Sequence, residues 1–425
     1  MKQPQTFDSQ NLREDFLDEL IQRCLLAREA TRTELDSDQY LSMRVSAYQN
    51  QCMREAHYRK TIEPQIKITE SDIQEAYPFT QDQRRIRHLF TETRAAADSL
   101  YQQLKEGVPF ENLAEEVFAD TDLAEKGGDL GWIQWAQMEY NLGMAAFRQK
   151  LNEYSSPVQS QYGWHIIQVL DYKKNPLITR HEYELHCRKA EALLKSDQMA
   201  AEMIRNLMQN ADIKVYPRIM KPVGEQLSLQ LKRKPSSWDI MNEMQLSNAE
   251  VIRIRTGLRE MQNEILAEVN GEPLTVGEFI CDLPFVPYDA LYRSYKSAMD
   301  FVFRDVAITK KARAMGLDRS EDVRRKTQLY QEYLLQLNMR KRLIRNVRVT
   351  EAEITSYYQE KQSSQFKNCP FDSVKLYIRN ELLKEKRRQA VPEYIQNRFA
   401  GIKIEKYPER IHAYYESVYH PSSDP

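Results

Sequence analysis

Residues 127–133 read GGDLGWI and residues 161–167 read QYGWHII. The chain has only 12 glycines and 7 histidines, yet three glycines crowd the first stretch and a histidine sits among strand formers in the second. Gly127 and Gly128 permit positive φ, which a tight turn into a strand can require. The run GWHIIQVLDY (163–172) reads as a strand. Upstream, RRIRHLF (84–90) alternates Ile86, His88 and Phe90 with Arg87 and Leu89, a second strand.

Between the strands lie three helical segments. Thr91 is positioned to cap the first, where Ala96, Leu100 and Leu104 share one face and Gly107 ends the run. The second carries Phe110, Leu113, Ala114 and Val117; a shorter one carries Met138, Leu142 and Phe147. The order is strand, helix, helix, glycine turn, short helix, strand. Side by side, the two strands bring His88 and His165 to the centre of one small sheet. A lone buried histidine is usually a core residue, but two on neighbouring strands point toward a site. Leu130, Trp132, Trp135 and Met138 can form an apolar cup beside them or serve as core. No GxGxxG follows a strand and no Walker lysine is present, so phosphate cradling has no motif behind it.

This small unit interrupts a repeat. ITESDIQEAY (68–77) resembles VTEAEITSYY (349–358), aligning Thr69 with Thr350 and Ile73 with Ile354. The match extends upstream, Leu35-Asp36 to Leu317-Asp318 and Tyr48-Gln49 to Tyr330-Gln331, and downstream, IKVYP (213–217) to IKIEKYP (402–408). Four segments in the same order read as a duplicated, mainly helical unit. The copies diverge after Tyr77 and Tyr358: only the first carries the insert before its closing helix, near residues 178–210. The corresponding helix of the second copy spans about 371–400.

The division predicted is 1–83, the first part of a helical unit; 84–173, the insert; 174–217, the closing helix and strand; 218–266, a connector; and 267–425, the second unit. Within the connector, LSLQLKRKP (227–235) alternates like a strand, and Pro235-Ser236-Ser237 reads as a loop. Near the N-terminus, Leu12, Phe16, Leu20 and Cys24 form an apolar helical stripe, with Cys24 read as core filler.

Composition sets the bounds. The 425 residues are 41% apolar and 29% charged, with net charge −1. That is a globular composition without a global pull toward nucleic acid or an anionic membrane, and no nucleic-acid partner is expected. The basic runs LKRKP and RKRLIRNVR read as solvated helix faces and linkers. No apolar run approaches the roughly 20 residues of a membrane helix. MKQPQTFDSQN has no apolar signal core, so the chain reads as cytosolic or as a mature segment. Cys24, Cys52, Cys187, Cys281 and Cys369 are scattered without metal-ligand spacing, so neither metal nor cofactor is expected.

Residues 84–173 resemble a parvulin-type peptidyl-prolyl isomerase domain. The pieces IRHLF, GVPFENLAEEVFAD, GGDLGWI, AAF and SSPVQSQYGWHIIQVLD stand in that family's order and spacing. The surrounding helical unit resembles the chaperone part of SurA-, PrsA- and PpiD-like periplasmic foldases, on topology more than motif. The implied fold is α+β: a small antiparallel sheet with flanking helices, inserted in a helical chaperone unit and followed by a second copy without the insert. By position, the resemblance assigns catalytic roles to His88, Asp120 and His165, and a proline pocket to Leu130, Met138 and Leu142 with Ser160 beside it. Position 142 is often aromatic in active members; Leu142 makes a shallower pocket here. The TETRAA loop (91–96) lacks the basic cluster of phosphate-selective parvulins.

The chemistry fits such a site. Rotation about an X–Pro bond faces a barrier of about 18–20 kcal/mol but makes and breaks no bond. An apolar site with a few hydrogen-bonding groups favours the twisted amide over the planar one. Three functional readings stay open. The first is a periplasmic foldase that holds unfolded envelope or outer-membrane proteins and isomerises X–Pro bonds. The second is a chaperone whose parvulin domain only binds. The third is a structural subunit of a membrane-associated envelope assembly.

One expectation concerns strand pairing. ILAEVNGEPLT (265–275) reads as a hairpin about Asn270-Gly271, with IKIEKY returning to pair with it. The first copy has IKVYP but no such hairpin, so its closing strand is expected to lack a partner, as in a trimmed or mature fragment, unless LSLQLKR supplies one.

Overall fold

A computed structural model describes residues 10–118, 121–160, 163–174, 180–231, 244–367, 369–411 and 413. The architecture is mixed α+β. The insert is built on four strands, β1 (Asp82–Thr91), β2 (Asp129–Gln134), β3 (Val158–Ser160) and β4 (Gly163–Lys174). They form one antiparallel sheet in the order β2-β1-β4-β3. The alternation read in RRIRHLF decides its two faces. Ile86, Ile167 and Val169 pack with Trp135, Leu142, Ala146 and Phe147 on one side. Leu89 and Ile166 pack with Leu100, Leu104, Phe110 and Leu113 on the other. The cap of the first insert helix, Arg94–Lys105, is Thr93 rather than Thr91, which remains in β1; Ala97, not Ala96, faces inward.

The first apolar cluster does not stop at the insert. It takes in Ala76 and Phe79 from the helix Glu70–Thr80, and Ala190 and Leu194 from the helix Arg180–Gln209. The insert therefore shares its core with the two helices that flank it.

Elsewhere the helices pack across large sequence distances. The helix Gln10–Arg32 lies on Glu321–Arg345, and Gln39–Thr61 lies on both Glu321–Arg345 and Tyr295–Ala314. Leu26, Ala27 and Ala30 face this core with Leu334, Leu335 and Met339. The stripe expected to be buried does not: Phe16 is 52% exposed and Cys24 is exposed. The partner helix sits some three hundred residues later in the chain and selects a different face.

Positions aligned in the sequence fall on matching elements. Thr69 and Thr350 both form capping boxes, with Asp72 and Glu353. Lys195 donates to the Lys67 carbonyl and Asp72; Lys386 donates to the Arg348 carbonyl and Glu353. Arg188 pairs with Glu70, and Arg379 with Glu351. Short 3₁₀ turns occupy Leu35–Ser37 and Leu317–Arg319, each entered through a left-handed residue, Glu34 and Gly316.

Expectations for two regions of the chain are overturned. Leu227–Gln230 is not a strand but the end of the helix Pro217–Gln230, which Pro217 starts at a position that needs no N–H donor. With the helix Asn248–Gly257 it contributes Val223, Leu227, Val251 and Ile254 to the largest core, so this region is packed structure rather than a connector. Pro235-Ser236-Ser237 lies outside the described residues. The hairpin β6 (Ile265–Val269) and β7 (Glu272–Thr275) turns on Asn270 and Gly271, both at positive φ. Its partner, however, is β5 (Ile213–Val215), which pairs antiparallel with β6. IKVYP is therefore paired within the chain, which removes the basis of the trimming argument, and residues 402–406 form no strand. The hairpin has one open place beside β6, and β5 fills it.

Candidate active site

The site starts from the alternation of β1 and β4. Cross-strand partners share a face, and the pairs Phe90–His165, His88–Ile167 and Ile86–Val169 line up along one side of the sheet. That is the side carrying Leu142, with Leu130, Met138 and Val158 packed at its margin. Nδ1 of His88 lies 3.1 Å from Nδ1 of His165, and the two rings are stacked with 14° between their planes. Nε2 of His165 lies 2.8 Å from the Ser160 hydroxyl. Phe118 flanks His88 at 5.3 Å and Phe90 flanks His165 at 5.2 Å between ring centroids.

This line of polar atoms restricts the protons. Only one of the two facing Nδ1 atoms can carry a hydrogen. If His88 carries it, His165 accepts at Nδ1 and its Nε2–H donates to Ser160. His88 Nε2, buried without a partner among the described residues, is then left as an acceptor. The reverse arrangement would bury an unpaired N–H, the costlier fault. Burial disfavours charge on both rings: His88 is pushed down to about 3, by burial and then by the neighbouring His165, and His165 to about 4 by burial. Near neutral pH the pair is uncharged. It can hold shape and a directed hydrogen-bond chain, but it is no ready proton donor.

The glycines of the turn answer to this strand. Gly128 has φ of +77°, and a Cβ there would lie 2.2 Å from the His88 carbonyl oxygen. The Gly128 carbonyl accepts from the His88 amide at 3.0 Å. Close approach to the backbone of the histidine strand is what requires glycine.

The structure brings His88, His165 and Ser160 into hydrogen-bond contact and places Leu130, Met138 and Leu142 in the apolar cluster on the same side of the sheet. Asp120 lies outside the described residues. Trp132 does not join the cup: it is 38% exposed, with the Lys173 ammonium over its ring. Trp135 is buried. Two contributors were not read from the sequence. Glu139 caps the helix Tyr140–Arg148, accepting from the amides of Asn141 and Leu142. Glu191 accepts from the Trp135 indole at 2.9 Å. The Glu139 cap had a local signal, an acid before an apolar helical run; Glu191 had none. Among the described residues no group of three or more His, Cys, Asp or Glu is placed to hold a metal, and no helix is long and apolar enough to cross a membrane.

Residues 73–173 match the PPIC-type PPIASE domain family, starting upstream of the boundary read from the sequence. The chain is 33% identical over 164 residues to the foldase protein PrsA of Bacillus subtilis (strain 168), covering 38% of this chain and 55% of that protein. It is 28% identical over 215 residues to a parvulin-like PPIase of Rickettsia typhi (strain ATCC VR-144 / Wilmington), covering 48% of this chain and 71% of that protein. A crystal structure of the peptidylprolyl isomerase PrsA from Bacillus anthracis is 22% identical, with a TM-score of 0.26, over 44% of this chain and 97% of that one. The chain spans about half the length of the PrsA relative, at 55%.

Proposed function

We propose that this chain, which carries a PPIC-type domain at residues 73–173, is a foldase: it holds unfolded polypeptides and isomerises their X–Pro bonds. One observation carries the reading. The chain Ser160–His165–His88 runs along the sheet face that also bears Leu130, Met138 and Leu142. A proline ring seated against the apolar wall would have its amide near neutral hydrogen-bonding groups in a water-poor setting. Such a setting lowers the preference for the planar amide without a nucleophile. His88 and His165, with Asp120 by resemblance, are assigned to the catalytic group; Leu130, Met138, Leu142 and Ser160 are assigned to the proline pocket.

The helical units are the holding surface in this reading. The matched capping boxes and ion pairs support a duplicated unit whose first copy accepted the isomerase domain. The similarity to PrsA foldases supports clients outside the cytoplasm, with envelope proteins as the favoured class. A second reading, in which the domain binds proline segments without catalysing, is favoured by Leu142: it is a buried core residue rather than an open pocket wall.

The decisive measurement is cis–trans relaxation of a short aromatic–Pro peptide with the full chain and with His88→Ala. An accelerated rate that falls in the variant is expected. A wild-type rate equal to buffer removes the isomerase and leaves the binding module.

A further inference from the structure

We infer that Trp135 and Glu191 are positioning residues for the proline pocket, so that a helix outside the isomerase sheet, Arg180–Gln209, sets the pocket's wall. The inference rests on the pocket assignment above.

The pocket wall starts where β2 ends. After Gln134 the backbone turns through Ala136, a non-glycine residue at φ of +66°. That left-handed conformation costs about 1–2 kcal/mol, so the fold must hold it in place. The turn drives Trp135 inward, to 7% exposure. Its ring lies 4.8 Å from that of Phe79 and 5.2 Å from that of Phe147. Its Cζ3 atom comes within 3.8 Å of the point where a Cβ on Gly143 would sit. The indole thus sits against the helix Tyr140–Arg148 at the residue next to Leu142. The same turn leads on to Met138, and then to Glu139, whose carboxylate caps the Leu142 amide.

The other end of the indole leaves the domain. Its Nε1–H donates to Oε1 of Glu191 at 2.9 Å, and Glu191 is itself 7% exposed. Ala190 and Leu194, on the same helix, belong to the same apolar cluster. Burial, the main effect on this carboxyl, raises its pKa, and the bond from the indole acts in the opposite direction by favouring the charged form. A simple anchor between domain and helix could attach anywhere on the outer surface. This one attaches through Trp135, whose ring meets Gly143, the residue after Leu142, and whose turn leads on to Met138. Moving the Glu191 helix would therefore move the wall of the pocket while leaving the histidine strands paired.

The test uses the full chain with ¹³C-methyl-labelled methionine. Glu191→Leu removes the acceptor; Glu191→Gln keeps an oxygen that can accept from the indole. Glu75→Gln, which removes an ion pair between Arg148 and the other flanking helix, Glu70–Thr80, is the control. Glu191→Leu is expected to shift the Met138 methyl signal while the His88 and His165 ring signals stay in place. It should also raise KM for an aromatic–Pro peptide about tenfold, with kcat within about twofold. Glu191→Gln and Glu75→Gln should stay near wild type in both readouts. An unmoved Met138 methyl in Glu191→Leu, or a Glu191→Gln variant as perturbed as the Leu variant, overturns the inference. Should Glu191→Leu fail to fold, Trp135→Phe keeps an apolar ring without the N–H and is judged by the same signals. Absence of isomerase activity in wild type would count against the isomerase reading alone, because the Met138 signal and peptide binding still decide the coupling.

Discussion

The rings of Tyr48 and Tyr330 stack at 4.1 Å with 20° between their planes, joining the helix Gln39–Thr61 to the helix Glu321–Arg345. These are positions matched in the sequence repeat, so each unit meets the other through its own version of one residue. Arg44 donates to the Tyr330 hydroxyl at 3.0 Å. A double-mutant cycle of Tyr48→Ala and Tyr330→Ala, read by urea unfolding, should give a coupling of about 1 kcal/mol. Tyr330→Phe separates the ring contact from the Arg44 bond. A coupling indistinguishable from zero would show that the stack contributes nothing.

Acid should reveal the buried histidines. An unfolded histidine takes up a proton below about pH 6.5, whereas folded His88 and His165 stay neutral to about 3 and 4. Between pH 6.5 and 4 the unfolded chain holds more protons, so this contribution to stability falls as pH falls. The slope is at most about 1.4 kcal/mol per pH unit for each ring. Above pH 6.5 neither ring contributes. Asp282, pushed up to about 7 chiefly by burial, gives the opposite slope across this range. The useful quantity is therefore the difference between wild type and His165→Asn. The variant should lose less stability from pH 6.5 to 4.5, and parallel curves would contradict the assignment.

Gly128 and Gly131 provide a matched pair. Both have φ of +77°, but a Cβ on Gly131 meets nothing within 4 Å, while one on Gly128 meets the His88 carbonyl. Gly131→Ala should cost about 1–2 kcal/mol, the conformational penalty alone. Gly128→Ala should cost more and displace the His88 ring signal in an NMR spectrum. Equal costs for the two would mean that the close approach to β1 is unimportant.

Removing residues 84–173 strips Trp135, Leu142 and Phe147 from Phe79, Ala190 and Leu194. The larger core around Phe279 and Val302, and the one around Leu26 and Leu334, lie outside the deletion. The shortened chain should keep a cooperative unfolding transition at a lower Tm and bind an apolar dye more strongly. A chain without a cooperative transition would show that the insert is required by the fold that surrounds it.

The sequence carried the local devices and lost the distant ones. The strand alternation around His88 and His165, the Thr69 and Thr350 caps and the Asn270-Gly271 turn are set by residues within a few positions, and they were legible. The N-terminal stripe misled because the buried face of Gln10–Arg32 is chosen by Leu334 and Leu335, far along the chain. LSLQL misled because its alternation is incidental: in the helix Pro217–Gln230 Leu227 is buried while Leu229 is 58% exposed. The pairing of β5 with β6 is non-local, and two similar segments, IKV and IKI, competed for one place. At the site, the histidines and Ser160 announced themselves by motif. Glu191 lies in a different helix and had no reason to be singled out.

The pairing of β5 with β6 also fixes an order of events during synthesis. As the chain emerges N-terminus first, residues 82–174 contain every strand of their own sheet and can assemble early. The residues on either side of them cannot settle so soon. β5 waits for Ile265–Val269, and the helix Gln10–Arg32 waits for Glu321–Arg345. The helix Gln10–Arg32 thus keeps Leu26 and Ala30 uncovered until Glu321–Arg345 is made, while the four strands of the insert and the flanking helices that complete its core are already available. A nascent chain of this protein is, for that interval, the nearest unfolded client its own proposed site could meet.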